Sequence, residues 1–221
     1  MRVMQPEGNR GSLKWIQRLV TLRPGICDVQ LCAQGALLNR GTLEWLSPNR
    51  DDDWAEYRDA AFLRRIGHLE LIEALNQFWP QRGPQWDGLA RDTSGAIYLF
   101  EAKAHTGEMT SNCQASPKSR ARIETAVSDT KVAFGAAPDA DWLIGYYQYA
   151  NRLAHLHFLR RAGVNAWLVF LYFINDAEMR GPNSEEAWND HLELVHRQLG
   201  LPDTAAIPGV VNVFIDATNL R

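Results

Sequence analysis

An α/β fold, with a mixed central sheet and helices on both of its faces, is what this sequence predicts. Three observations carry that expectation. Two strand-like runs flank the turn Asp92-Thr93-Ser94-Gly95, an uninterrupted apolar run spans Ala166 to Ile174, and helix-length segments with clear start and stop signals separate the later strands. In order, residues 1 to about 10 are polar and read as an arm. Ser12 can cap a short helix, Leu13 to Leu22, which Pro24 and Gly25 end. Residues 25 to 50 are ambiguous apart from a short strand at Thr42 to Leu46. Asp51 to Asp53 are expected to cap one long helix from Trp54 to Phe78, stopped by Pro80. Gly83 to Arg91 and Ala96 to Ala104 form a hairpin, with Gly95 free to take a positive φ. Helices follow at Ser119 to Phe134 and Trp142 to Ala162, then a buried strand at Ala166 to Ile174. A helix from Glu185 to Leu199, ended by Gly200 and Pro202, and a last strand from Val210 to Ile215 complete the order. Residues 1–50 are read as an N-terminal extension and 51–221 as one α/β domain.

Composition bounds the function. With 221 residues and 46% hydrophobic content the chain can bury a full core. A net charge of −3 argues against a polybasic nucleic-acid coat but leaves room for a local basic groove. The three cysteines, Cys27, Cys32 and Cys113, form no CxxC pair, so a reducing cytoplasm is the default expectation. The Ala166 to Ile174 run is too short to cross a bilayer, and no membrane association is expected. No GxxxxGK loop and no GxSxG elbow is present. His155-x-His157 is a poor zinc pair, because residues two apart on a helix face different ways.

The hairpin holds the chemistry. On the returning strand Glu101, Lys103 and His105 share one face, and Phe100, Ala102 and Ala104 share the other. Charges inside an apolar strand need partners. Asp87, on the outgoing strand, is one such partner, and a divalent cation held by Asp87 and Glu101 is another. A structural ion pair at the strand end is the plainer reading of Glu101 and Lys103.

Asp87 followed, fourteen residues later, by Glu101-Ala102-Lys103 resembles the PD-(D/E)xK, or restriction-endonuclease-like, nuclease superfamily. Trp86 stands where that superfamily usually has its proline. The resemblance covers roughly residues 54 to 174. It implies a restriction-endonuclease-like core and a nuclease that hydrolyses phosphodiesters, most readily those of DNA. Asp87, Glu101 and the backbone carbonyl of Ala102 would hold Mg²⁺ or Mn²⁺. Lys103 would orient a water and neutralise developing charge, and the products would carry 5′-phosphate and 3′-hydroxyl ends. A further acid often sits on the helix before the hairpin. Leu63, Ile66, Gly67 and Ala74 define one face of the expected helix and Glu70 falls in its middle, so Glu70 is the first choice, Glu73 the second and Glu56 the third.

Gln148, Asn151, Arg152 and His155 share one face of the helix beyond. Tyr147-Gln148-Tyr149 with Arg152 is similar to the glutamine-bearing helix of recombination-type exonucleases in the same superfamily, which makes Gln148 a catalytic candidate. A solvated helix face is the alternative. Ser116 to Arg122 is locally basic and can contact phosphates, and His105 and Glu108 are more readily surface residues. Three readings remain open: an active nuclease, a nuclease-like scaffold that binds nucleic acid or protein without turnover, or an α/β protein of unrelated function in which the motif is accidental. A homodimer is compatible with any of them, with Trp15 or Trp45 as interface anchors.

Overall fold

The computed structural model describes residues 1–37, 41–202 and 207–221. Residues 38–40, part of the stretch that the sequence leaves ambiguous, lie outside the described residues. A five-stranded mixed sheet runs through the centre. Its strands are β2 (Glu44–Ser47), β4 (Gly88–Arg91), β5 (Ile97–Lys103), β6 (Ala166–Ile174) and β7 (Val210–Asp216), in the spatial order β2-β4-β5-β6-β7. The first two pairings are antiparallel and the last two parallel. A separate two-stranded ladder joins β1 (Arg2–Val3) to β3 (Glu56–Tyr57).

Alternation along β5 and β6 sorts two cores. Tyr98, Phe100, Ala102, Val169, Leu171 and Phe173 pack against α1 (Gly11–Leu22) and α2 (Gly25–Ala33) through Trp15, Ile16, Leu19, Cys27 and Leu31. Residues expected to form an extension therefore build one whole layer of the fold. Ile97, Leu99, Leu168, Phe170 and Tyr172 face the other way. There they meet α3 (Asp59–Ile66), α4 (Ile72–Phe78), α5 (Pro117–Phe134), α6 (Tyr147–Arg161) and α7 (Glu185–Leu199). Gly88 lies under the Trp45–Phe100 ring pair, where a Cβ would stand 3.1 Å from Trp45 and 3.2 Å from both Ile16 and Phe100.

The outer edge of β7 is covered by side chains rather than by another strand. Gln30 of α2 accepts the Phe214 N–H at 3.0 Å and donates to the Phe214 carbonyl, and Gln34, one turn on, donates to the Asn212 carbonyl at 2.8 Å. No helix among the described residues is long and apolar enough to cross a membrane.

Several expected bounds are corrected. The single helix from Trp54 to Phe78 is absent. In its place stand β3, α3, a one-turn 3₁₀ helix at Leu69–Leu71, and α4. Asp53 and Trp54 take left-handed φ values of 52° and 53°, and Gly67, at φ 88°, ends α3. The outgoing hairpin strand begins at Gly88, because Trp86 bridges to Tyr57 instead of continuing the ladder. Helix α6 begins at Tyr147, since Ser111 bridges to Tyr146 and Gly145 turns at φ 85°. Residues 1–10 are tied down through β1 rather than trailing as an arm.

Candidate functional site

Register places the central acids together. Gly88 pairs with Phe100, so Asp87, one residue earlier, comes opposite Glu101 where β4 gives way to loop. The Ala102 N–H donates to Asp87 Oδ2 at 2.7 Å, which fixes that carboxylate beside β5. Glu101 and Lys103 project from β5 toward α6. Lys103 Nζ donates to Glu101 Oε1 at 2.5 Å and stands 3.4 Å from Gln148 Oε1. Gln148 is brought there by Ser111, whose Oγ accepts the Gln148 N–H at 2.8 Å and so anchors the start of α6. One turn further on, Arg152 binds Glu101 Oε2 through Nε at 2.6 Å. Its other nitrogens hold the Asn151 side chain and the Gln85 carbonyl, and its guanidinium lies 5.1 Å from the Trp86 ring centroid.

These groups line one cleft of about 970 Å³. Its floor is Glu56, Asp87, Glu101 and Lys103. One wall is the loop Trp79 to Gln85, and the other includes Ser111, Ser116 and Gln148. Asp59 holds the first wall by accepting the backbone N–H of Gly83 at 2.9 Å and of Arg82 at 3.3 Å. Glu108 also lines the cleft and accepts the Ala104 N–H at 2.7 Å. It belongs to the site's rim, not to the open surface where the sequence placed it.

The electrostatics are those of crowded carboxylates. Burial, then the neighbouring charges of Glu101 and Glu56, pushes the Asp87 carboxyl well above its ordinary range, with Lys103 and Arg152 pulling the other way. Burial also raises Glu56, and Glu101 adds to this, against the hydrogen bonds from Gln85 and Gln5. Burial would raise Glu101 too, but the cations of Arg152 and Lys103 outweigh it and hold this carboxyl below its usual value. For Lys103, burial favours the neutral amine. The carboxylates of Glu101 and Asp87 prevail and keep the ammonium charged.

The sequence-derived candidates divide cleanly. Asp87, Glu101, Lys103 and Gln148 meet in the cleft. Ala102 is in place through its backbone. In an extended strand the N–H and C=O of one residue point to the same side, so its carbonyl faces the Asp87 side of β5. Glu70 is a correction: it lies on the 3₁₀ turn, is exposed, bonds His68 Nδ1 at 2.9 Å, and does not line the cleft. Its assignment assumed helical phase from Leu63 onward, and Gly67 destroys that phase. Glu73 is exposed on α4. Glu56, ranked third, is the acid that reaches the cleft floor, from a strand instead of a helix.

The donor set suits a hard cation. Asp87 and Glu101 are oxygen donors side by side, and among the described residues Asp87 Oδ1 and Glu56 Oε1 make no hydrogen bond. No group of three or more His, Cys, Asp or Glu among the described residues converges tightly enough to cage an ion. Mg²⁺ commonly takes one or two carboxylates and keeps several waters, so the pair with the Ala102 carbonyl is a fitting set. No family model matches this chain, and comparison with curated proteins and with solved structures finds no significant match.

Proposed function

We propose that this chain is a metal-dependent nuclease of the PD-(D/E)xK type, with a restriction-endonuclease-like core, that hydrolyses phosphodiester bonds of DNA. The observation that carries this reading is the meeting of Asp87, Glu101 and Lys103 on the floor of one cleft. Asp87, Glu101 and the Ala102 carbonyl would hold Mg²⁺ or Mn²⁺. Such an ion polarises a phosphate and acidifies a bound water.

The remaining roles follow from the protein's own groups. Lys103, charged and fixed by Glu101, sits beside the place where negative charge grows on the phosphate and stabilises it there. Gln148, within reach of Lys103, orients that ammonium or the attacking water. Arg152 holds Glu101 in place from below. With all three acids ionised, as a bound cation would favour, Glu56, Asp87 and Glu101 set against Lys103 and Arg152 leave one net negative charge on the floor, which attracts a cation without repelling a phosphodiester strongly. Water adds to phosphorus, the P–O bond to the leaving sugar oxygen breaks, and a proton passes to that oxygen. The wall residue Arg82 would meet a flanking phosphate of a bound strand.

One observation favours the second reading, a nuclease-like scaffold that binds without turnover. Both oxygens of Glu101 already carry a cationic partner, so an ion must share them. Titration calorimetry with Mg²⁺ and Mn²⁺ on the wild type and on Asp87→Ala, followed by cleavage assays on labelled single- and double-stranded DNA, decides between them. Binding that Asp87→Ala abolishes, with metal-dependent cleavage, supports the nuclease. Binding without turnover on any DNA supports the scaffold. Binding that survives Asp87→Ala defeats the site assignment.

A further inference from the structure

The acid on the cleft floor that does not belong to the hairpin is held by the first residues of the chain. Strand β3, which carries Glu56, is two residues long and pairs with β1, with Val3 opposite Glu56. Arg2 locks this ladder through Asp52 at 2.8 Å and Asp53 at 2.7 Å. The Gln5 N–H donates to the Asp53 carbonyl at 3.1 Å. Beyond it, Gln17 of α1 accepts the Gly8 N–H at 2.7 Å and donates to the Pro6 carbonyl at 3.0 Å. The segment is thus fastened on both sides of Gln5.

Two side-chain amides then converge on one oxygen. Gln5 Nε2 donates to Glu56 Oε2 at 3.0 Å and Gln85 Nε2 donates to the same atom at 2.5 Å. Glu101 is held differently, by two cations. Cations neutralise the carboxylate they hold. Neutral amides fix its orientation and leave its charge in place. With Oε2 engaged twice, Oε1 is the oxygen left for the cleft.

We propose that Gln5, acting with Gln85, is a positioning residue that holds Glu56 toward the bound cation and its water, so that the N-terminal segment is a working part of the site. This rests on the metal-nuclease reading above. The test is Mn²⁺ calorimetry on the full-length wild type, Gln5→Ala, Gln85→Ala, Glu56→Gln and the double variant Gln5→Ala/Glu56→Gln, with Asp87→Ala as control and thermal unfolding as a check on folding. Loss of a partner that orients a metal-binding side chain typically weakens metal affinity by roughly ten-fold or more. We expect that loss in Gln5→Ala, and no further loss when the same change is made in Glu56→Gln. In cleavage assays kcat should fall with little change in KM for DNA. Affinity equal to wild type in Gln5→Ala while Asp87→Ala binds nothing overturns the proposal and leaves the nuclease reading standing. So does a full additional loss in the double variant, because that would show the residue acting on something other than Glu56. If Gln5→Ala unfolds early, Gln85→Ala must show the same loss, with no further loss in the double variant Gln85→Ala/Glu56→Gln, and failure of either is equally fatal. Mn²⁺ binding retained in Asp87→Ala, or absent in the wild type, brings down both.

Discussion

Arg152, from the second turn of α6, closes on Glu101 of β5 at 2.6 Å, and both side chains are almost fully buried. Removing one member of a buried pair leaves the other charge desolvated, at a cost of about 3–5 kcal/mol when nothing else compensates it. Lys103 stays on the other Glu101 oxygen, so Arg152→Ala should destabilise by about 3 kcal/mol, the lower end of that range. Urea unfolding measures this. A loss below the level of an exposed pair would mean that the bridge is not formed in solution.

Lys103→Met keeps the bulk of the stem and removes the charge. It should lower metal-dependent cleavage by roughly 10²–10³-fold or more, as expected for loss of a group that stabilises transition-state charge. Mn²⁺ affinity should hold or rise, because the carboxylates remain and Glu101 Oε1 loses its competing cation. Single-turnover cleavage with parallel calorimetry separates the two quantities, and wild-type cleavage by a folded variant would remove Lys103 from the mechanism.

Asp87→Asn should abolish metal binding yet raise the melting temperature in metal-free buffer at pH 7. The sign follows from the raised folded-state pKa of Asp87. The folded state prefers the protonated acid more than the unfolded chain does, so ionisation at neutral pH destabilises the fold, and this penalty fades as pH falls. Asparagine removes the charge and can still accept the Ala102 N–H. Added Mn²⁺ should stabilise the wild type alone. A variant that melts below the wild type in chelator would contradict the crowding described for the cleft floor.

Glu56→Gln should impair cleavage by at least ten-fold, and Glu70→Gln should leave it within two-fold of wild type, on the order expected for an exposed side chain remote from a site. Steady-state rates on one DNA substrate suffice. The opposite order would place the third acid on the 3₁₀ turn after all.

His155 predicts an acid-side loss of stability. Burial pushes its imidazole down to about 3, in a pocket where Nδ1 faces the Asn151 carbonyl at 2.9 Å and the Trp79 ring lies 4.9 Å away. The unfolded chain takes up this proton near pH 6.5 and the folded chain refuses it until about 3, so stability falls as pH drops through that window. Urea midpoints between pH 7 and 5 should decline in the wild type and decline less in His155→Gln. Parallel slopes would show that the ring is not held neutral.

What the sequence made legible was local. The bounds of β6 and α7 match the expectation, because an unbroken apolar run and a helix framed by Ser184 and the left-handed Gly200 carry their own signals. Asp87, Glu101 and Lys103 are joined by one tight hairpin, so their proximity could be read from spacing, and helical periodicity alone put Gln148 and Arg152 on one face. Glu56 ranks only third from the sequence, on a helical phase that the structure does not have. Its position depends on the pairing of β1 with β3, more than fifty residues apart in sequence, and no periodic pattern marks a two-residue strand. The stripe on α6 likewise contained Arg152 but not its partner. Helix α1 was legible as an element, but α2 fell in the ambiguous stretch, and the place of both against the sheet depends on contacts with β5, β6 and β7 far along the chain.

The glutamines on α2 carry a consequence for assembly. By giving β7 the donors and acceptor that another strand would offer, Gln30 and Gln34 fill the backbone positions at Phe214 and Asn212 with partners from the same chain. A neighbouring molecule seeking to extend the sheet there would have to displace amides held at high effective concentration by their own helix. Any second copy of this chain would therefore meet the first through surfaces other than this stretch of the edge.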